Sequence, residues 1–371
     1  MEIAPALLEQ WMRRYYFDTE IDIGSSGVES FSMSELRRLL GLSQNDLDQV
    51  IFDDSRTLGG PGLRAAIGDR WANGDLDRVM ATHGSSEGIF LVMNALLRPG
   101  DEVITVSPSY QQLFAIAESI GCELKFWNLD FKHGFVPDIK QLERLVTKRT
   151  RMLVVNFPQN PTGASLMPEQ QEELVDIVAE TGSYLLWDGA FTEMTYGRPP
   201  LPDPGMLYDR TITLGTLSKG YGLPGLRVGW LLASPEILER LVGLRDYLTL
   251  HLSPLIELIA ERAVRNADVL LRVRMEQACA NLNTLAAWVE RHRELVDWAP
   301  PQGGVCAFLR MLGGGDVETF CHRLAREFRV LLVPGTCFNQ PGFVRLGFGG
   351  SSQKFEEGLS RLSDLLVKIS R

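Results

Sequence analysis

Apolar runs recur through the first two thirds of the chain at 103–106, 124–127, 152–156, 184–187, 211–214 and 228–232. Helical patterns separate several of them, at 89–97, 111–120, 168–181 and 235–244. Near-continuous apolar strands spaced by helices predict a mostly parallel sheet covered on both faces. A long charged helical stretch over 255–295 then leads away from that sheet. Beyond it, strands at 304–309, 330–333 and 344–348, a helix at 317–328 and a final helix predict a smaller α+β domain. An N-terminal helical stretch at 6–16 is expected to fold back onto this part. The resulting division is a large domain over 45–260 and a small one formed by 1–44 with 261–371.

Open α/β sheets bind ligands at their strand ends, and that is where the chemistry-bearing residues fall. Lys219 follows the apolar run 212–217 and precedes a glycine-rich turn, with Arg227 eight residues on. Such a lysine suits a Schiff base with an aldehyde cofactor, and the arginine suits that cofactor's phosphate. A solvated surface lysine is the plain alternative. Thr82-His83-Gly84-Ser85-Ser86-Glu87-Gly88 stands just before the helix at 89–97. Small residues there let backbone N–H groups approach a phosphate at a helix N-terminus, although an ordinary cap reads the same way.

Three further pieces follow in order. Asn156-Phe157-Pro158-Gln159-Asn160-Pro161-Thr162-Gly163 is composed of turn residues, yet its pairing of Asn with Pro is more specific than a plain loop. Asp188 ends an apolar strand, where a carboxylate is costly unless paired. It could cap the next helix, or it could pair with a pyridine nitrogen and favour the protonated ring. Arg345 is a charge on the apolar run 343–348, suited either to an edge salt bridge or to a bidentate clamp on a carboxylate.

Taken together and in this order, the pieces resemble fold type I pyridoxal-phosphate enzymes of the aminotransferase class I/II superfamily, over nearly the whole chain. The resemblance implies a mostly parallel seven-stranded large domain, a smaller α+β domain and pyridoxal 5'-phosphate as cofactor. It implies that Lys219 carries the cofactor and that Asp188 pairs with its ring nitrogen. Asn160 would bond its phenolic oxygen and Tyr110 would stack on its ring. Ser85, Ser86, Ser218 and Arg227, with Thr216, would hold its phosphate. Gly27, Asn160 and Arg345 would bind a substrate carboxylate.

Composition narrows the partners. A chain of 371 residues with 45% hydrophobic content can bury a core for two domains, and its net charge of −10 argues against nucleic acid or an anionic membrane. Cysteines 122, 279, 306, 321 and 337 are odd in number and lack Cys-x-x-Cys spacing, so neither a disulfide framework nor a metal site is indicated. The N-terminus lacks a basic leader region and no apolar run approaches roughly 18 residues, so a soluble, cytoplasmic protein is expected.

Some segments look closer to capreomycidine synthase and related hydroxyarginine cyclases, including those that form enduracididine. These are 22–29, 82–87, 187–191, 215–230 and 245–250. That family cyclises a hydroxylated L-arginine to a guanidino-ring amino acid. Departures from the aminotransferase pattern agree. Phe191 stands where a tyrosine usually faces the cofactor's phenolate, and Asp53 with Asp54 stands where a neighbouring subunit usually supplies a tyrosine. An acid there suits a guanidinium, a solvated loop being the alternative. Glu9, on the helical stretch 6–16, is expected to contact the substrate side chain or assist loss of its hydroxyl, although a solvated helix glutamate reads the same way. The resemblance also implies a homodimer with active sites at its interface. An ordinary aminotransferase using a 2-oxo acid, or a β- or γ-lyase, remains open, as does the position of the leaving hydroxyl.

Overall fold

The computed structural model describes residues 2–313 and 315–369. Its helices are α1 (Leu7–Tyr15), α2 (Met33–Leu40), α3 (Gln44–Asp48), α4 (Pro61–Trp71), α5 (Gly84–Leu96), α6 (Gln112–Ile120) and α7 (Ile139–Leu145). They continue with α8 (Pro168–Thr181), α9 (Pro235–Arg245), α10 (Pro254–Arg265), α11 (Ala267–Arg291), α12 (Val317–Glu327) and α13 (Ser352–Ile369). The strands are β1 (Ile21–Asp22), β2 (Val79–Thr82), β3 (Glu102–Ser107), β4 (Glu123–Asn128), β5 (Thr150–Asn156), β6 (Tyr184–Asp188) and β7 (Thr211–Thr216). Then come β8 (Gly229–Leu232), β9 (Val296–Trp298), β10 (Cys306–Met311), β11 (Val330–Leu331), β12 (Val333–Pro334) and β13 (Phe343–Gly347).

Seven strands form the main sheet in the order β2-β8-β7-β6-β5-β3-β4. All its neighbours are parallel except β8, which runs antiparallel to both β2 and β7. Alternation explains why the central strands are apolar throughout. Leu185 and Trp187 of β6 enter one core cluster while Tyr184 and Leu186 enter another, so both faces are covered. Only the edge strand β4 is largely open to solvent. The sheet's register aligns Asn156 with Asp188, Asp188 with Leu214, and Thr216 with Gly229. Four strand ends therefore deliver Thr82, Asn156, Asp188 and Thr216 to one edge of the sheet.

A second sheet, β12-β13-β10-β9, is antiparallel, and β1 pairs in parallel with β11. The segment after β1 bridges the two parts. Gly347 N donates to Ile23 O at 2.9 Å, Glu29 N to Gly349 O at 3.0 Å, and Val28 N to Lys219 O at 3.4 Å. Residues 22–29 thus run from the second sheet to the lysine turn.

Two expectations need correction. The helical stretch 255–295 is two helices, α10 and α11, broken at Asn266. The Asn266 amide donates to the Arg262 carbonyl at 2.8 Å, and such local bonding competes with the helix ladder. The single strand expected over 330–333 is β11 and β12, which serve different partners. Leu332, between them, gives its carbonyl to the Trp11 indole at 2.9 Å. Among the described residues no helix is long and apolar enough to cross a membrane.

Candidate active site

Lys219 sits in the turn between β7 and β8, at the sheet edge where the four strand ends meet. Its Nζ lies 3.0 Å from Ser26 Oγ. Burial lowers its amine pKa, Arg345 lowers it further, and Asp188 and Glu9 pull the other way. A lysine so placed reaches the neutral, nucleophilic form more readily than one in water.

Asp188 is buried at 6% exposure and takes one backbone hydrogen bond, from Ala190 N at 3.1 Å. Desolvation pushes its carboxyl up to about 6. The neighbouring strand supports its position: Asn156 Nδ2 donates to Asp188 O at 2.8 Å, and Asn156 Oδ1 accepts from Asn160 N at 2.8 Å. Asn160 is in turn held by Arg345, whose Nη1 donates to Asn160 Oδ1 at 3.2 Å. The remaining bonds of Arg345 go to Gly24 O, from Nε at 3.1 Å and Nη2 at 2.8 Å. This guanidinium is 1% exposed, yet among the described residues it makes no ion pair. A buried, unpaired cation is costly until an anion joins it, which makes Arg345 suited to a carboxylate.

The opposite end of the site is an anion cradle. Gly84 opens α5 with φ +74°, and a Cβ there would lie 2.6 Å from Arg227 Nη2. A Cβ on Gly229 would lie 2.6 Å from the Ser85 nitrogen. Only glycines let β8, the helix start and the arginine come this close. Arg227 Nη1 reaches Ser218 Oγ at 3.4 Å and Pro224 O at 3.0 Å. Thr216 Oγ1 lies 3.0 Å from Ser218 Oγ and accepts from Ser218 N at 3.1 Å. A helix N-terminus, a guanidinium and two hydroxyls converge as a phosphate requires. The residues present therefore fit pyridoxal 5'-phosphate: an anion cradle, a lysine with depressed pKa and a buried acid that makes no ion pair among the described residues.

Tyr110, just ahead of α6, donates from its hydroxyl to Glu9 Oε1 at 3.0 Å. Burial and the Glu9 charge raise the phenol's pKa, so it keeps its proton. Glu9 on α1 is exposed and, among the described residues, has no cationic partner. Gly27 lies against the lysine turn, where a Cβ would meet Ser218 O at 3.6 Å. Ser85 and Ser86 occupy the first turn of α5.

Asp53 stands apart from these. It is exposed, and its carboxylate accepts from Asp54 N at 2.9 Å; Asp54 lies 3.2 Å from His251 Nε2. Among the described residues no contact links Asp53 to Lys219. Conversely, Ser26, buried beside Nζ, was not anticipated as a site residue. The stretch 22–29 was the only hint, since a serine in coil carries no chemistry signature of its own.

The fold, the lysine turn and the anion cradle define a fold type I pyridoxal-phosphate enzyme, and the chain belongs to the aminotransferase class I and II family, whose sequence model matches residues 57–362. Among curated relatives it is 44% identical to capreomycidine synthase of Streptomyces vinaceus, over 99% of this chain and 95% of that protein. Aspartate aminotransferase of Thermotoga maritima is 29% identical over 82% of this chain and 80% of its own length. The crystal structure of the PLP-dependent cyclase OrfR superposes with a TM-score of 0.94 at 44% identity, covering 99% of this chain and 98% of that one. A PLP-dependent aminotransferase from Streptococcus suis gives a TM-score of 0.94 at 30% identity, with full coverage of both chains.

Proposed function

We propose that this protein is a cyclase that converts a 3- or 4-hydroxylated L-arginine into a cyclic guanidino amino acid of the capreomycidine or enduracididine type, with loss of one water. The observation that carries this reading is the opposed pair of free charges in the site. Among the described residues Arg345 is buried and makes no ion pair, and Glu9, exposed beside Tyr110, makes none either. An amino acid with a carboxylate at one end and a guanidinium at the other satisfies both. The 44% identity to capreomycidine synthase supports the same reading.

When bound, pyridoxal phosphate supplies an electron sink for charge developing at Cα. Ser85, Ser86, Thr216, Ser218 and Arg227 would hold its phosphate, Asp188 its ring nitrogen and Asn160 its phenolic oxygen. Tyr110 would cover the ring face. Gly27, Asn160 and Arg345 would fix the substrate carboxylate. The Lys219 amine, kept from protonation by burial, takes the Cα proton, and Ser26 holds that amine beside the reacting carbon. Glu9 orients the guanidinium and favours departure of the side-chain hydroxyl. The substrate's own guanidine nitrogen then closes the ring at Cβ or Cγ, its released proton leaving with the hydroxyl as water, and Lys219 returns its proton to Cα. Alignment of two groups in one molecule is worth an effective molarity of roughly 10⁵–10⁸ M. No oxidant or second substrate enters this balance. Asp53 would contact the guanidinium only across a homodimer interface, which this reading includes.

The test is mass spectrometry of cofactor-loaded enzyme incubated with 3-hydroxy- or 4-hydroxy-L-arginine, with and without 2-oxoglutarate. The expected result is loss of one water without any oxo acid, with NMR locating the ring. Glutamate formed only when 2-oxoglutarate is present would replace the cyclase with an aminotransferase. Release of ammonia and an oxo acid would replace it with a lyase.

A further inference from the structure

Behind the lysine turn lies a polar cluster that the chemistry above does not use. Glu193 follows β6, five residues beyond Asp188, and Tyr221 stands two residues beyond Lys219. The Tyr221 hydroxyl donates to Glu193 Oε2. Arg70, in the last turn of α4, grips the same carboxylate through Nη2 at 2.6 Å and Nε at 3.3 Å. Its Nη2 also reaches Asp268 Oδ1 of α11 at 2.6 Å. Tyr221 is 5% exposed, and burial together with the Glu193 charge holds its phenol in the protonated, donating form.

The surroundings press the two catalytic segments together. Gly189 N donates to Leu214 O at 2.9 Å. A Cβ on Gly220 would come within 3.0 Å of both Met194 and Leu271, so the lysine turn is wedged between the Asp188 segment and α11. Trp71 stacks on Trp230 at 4.2 Å and meets Tyr221 edge-on at 6.4 Å. A cavity of about 20 Å³ is lined by residues of both the cluster and the site, among them Glu193, Tyr221, Gly189 and Thr216. That is room for a single water.

We propose that Glu193 is a positioning residue that, through Tyr221 and Arg70, fixes the Lys219 turn relative to Asp188. Stability alone does not call for charge here. The Arg70 and Glu193 side chains are 22% and 17% exposed, and an ion pair that solvent reaches adds little to stability. Directional bonds to one carboxylate give something apolar packing does not, a fixed distance between the segment that carries the acid and the turn that carries the amine. Loss of the clamp lets the turn relax and water reach Lys219, which raises the pKa of its amine.

The experiment compares Tyr221→Phe, Glu193→Gln and Glu193→Ala with the parent enzyme. Apoenzyme is titrated with pyridoxal phosphate to give Kd, and the rate of covalent uptake is followed against pH by visible absorbance. Uptake needs a neutral amine, so its pH midpoint reports the Lys219 environment. Tyr221→Phe should weaken cofactor binding about tenfold, the cost of one hydrogen bond to a charged group. It should move the midpoint up by about one pH unit. Glu193→Ala should do at least as much, and Glu193→Gln, which keeps the shape and one acceptor oxygen for Tyr221 but turns its amide NH2 against Arg70 Nη2, should recover only part of it.

Parent-like Kd and midpoint in Tyr221→Phe and Glu193→Ala would overturn the proposal, whether or not the melting temperature falls. A structural role alone lowers melting temperature without moving the midpoint. Should one variant fail to fold, the others decide. The proposal rests on Lys219 as the cofactor lysine and not on the substrate. Uptake by Lys219→Ala with unchanged absorbance would remove that footing separately.

Discussion

The two walls of the site are built differently. The cofactor wall consists of strand ends and the tight turns that follow them, with Asp188, Asn160 and Thr216 all buried and held by Ala190 N, Arg345 Nη1 and Val228 O in turn. The wall that the proposed function gives to the substrate side chain is an attached helix. Helix α1 docks by its apolar face, with Trp11 bonded to Leu332 O and the Tyr15 hydroxyl 2.5 Å from His322 Nδ1. Its Glu9 points to solvent and to Tyr110. A wall set by sheet register changes little without unfolding, whereas an attached helix can change one side chain freely. On the proposed reading, the general chemistry belongs to the first wall and the choice of substrate to the second.

The largest expected effect is on the cofactor wall. Lys219→Ala should lose covalent cofactor, seen as loss of the visible band after dialysis, and turnover should fall by about 10⁴-fold. Asp188→Asn should retain the cofactor but lose about 10²–10³-fold in turnover. The same residue makes a stability prediction for the apoprotein. Its folded pKa, about 6, is raised above the reference 3.8, so the folded state holds the proton that the unfolded state releases. The contribution of Asp188 to stability is thus greatest below pH ~4 and falls as pH rises through about 6, by on the order of 3 kcal/mol. Melting scans of the apoprotein should show this decline as the difference between the parent and Asp188→Asn across pH. Equal slopes would mean that Asp188 is not a strained buried acid.

How far each wall was legible in the sequence follows the same division. The cofactor wall is written in contiguous motifs: an apolar strand ending in Asp188, a turn carrying Lys219, a glycine at the start of α5. Strand burial forces those runs to be apolar, so the breaks show. Helix α4 was missed because Pro61-Gly62-Leu63-Arg64-Ala65-Ala66-Ile67-Gly68 has no clear amphipathic stripe and two glycines. The clamp was missed because Arg70, Glu193 and Tyr221 lie far apart in sequence, and each reads alone as a surface or core residue. Ser26 reaches Lys219 only through the bridge made by residues 22–29, a tertiary fact with no periodicity to betray it.

Glu9 tests the substrate wall directly. Glu9→Gln should leave the cofactor spectrum unchanged and lower kcat/KM for hydroxylated arginine about tenfold, as expected for one charge-assisted bond. An unchanged kcat/KM would take Glu9 out of recognition. A changed spectrum would move it to the cofactor wall and blur the comparison.

Asp53 should show the smallest effect, and the reason is its exposure. A carboxylate in water gains little from a partner, roughly 0–1 kcal/mol, and salt screens it. Its neighbours argue that it is not always in water. Ile51 and Phe52 are 77% and 74% exposed, and Tyr247, on the loop that also carries His251, is 89% exposed. A second copy of the chain covering these residues would bring Asp53 towards a site it does not reach within its own chain. Asp53→Asn should then raise KM about threefold with kcat unchanged, the difference shrinking at high salt. Sedimentation of the parent across concentration supplies the companion measurement. A KM shift in a protein that sediments as a monomer would place Asp53 on its own chain's substrate wall. A dimer with no KM shift would make the acid a solvated loop residue and leave substrate choice to α1 alone.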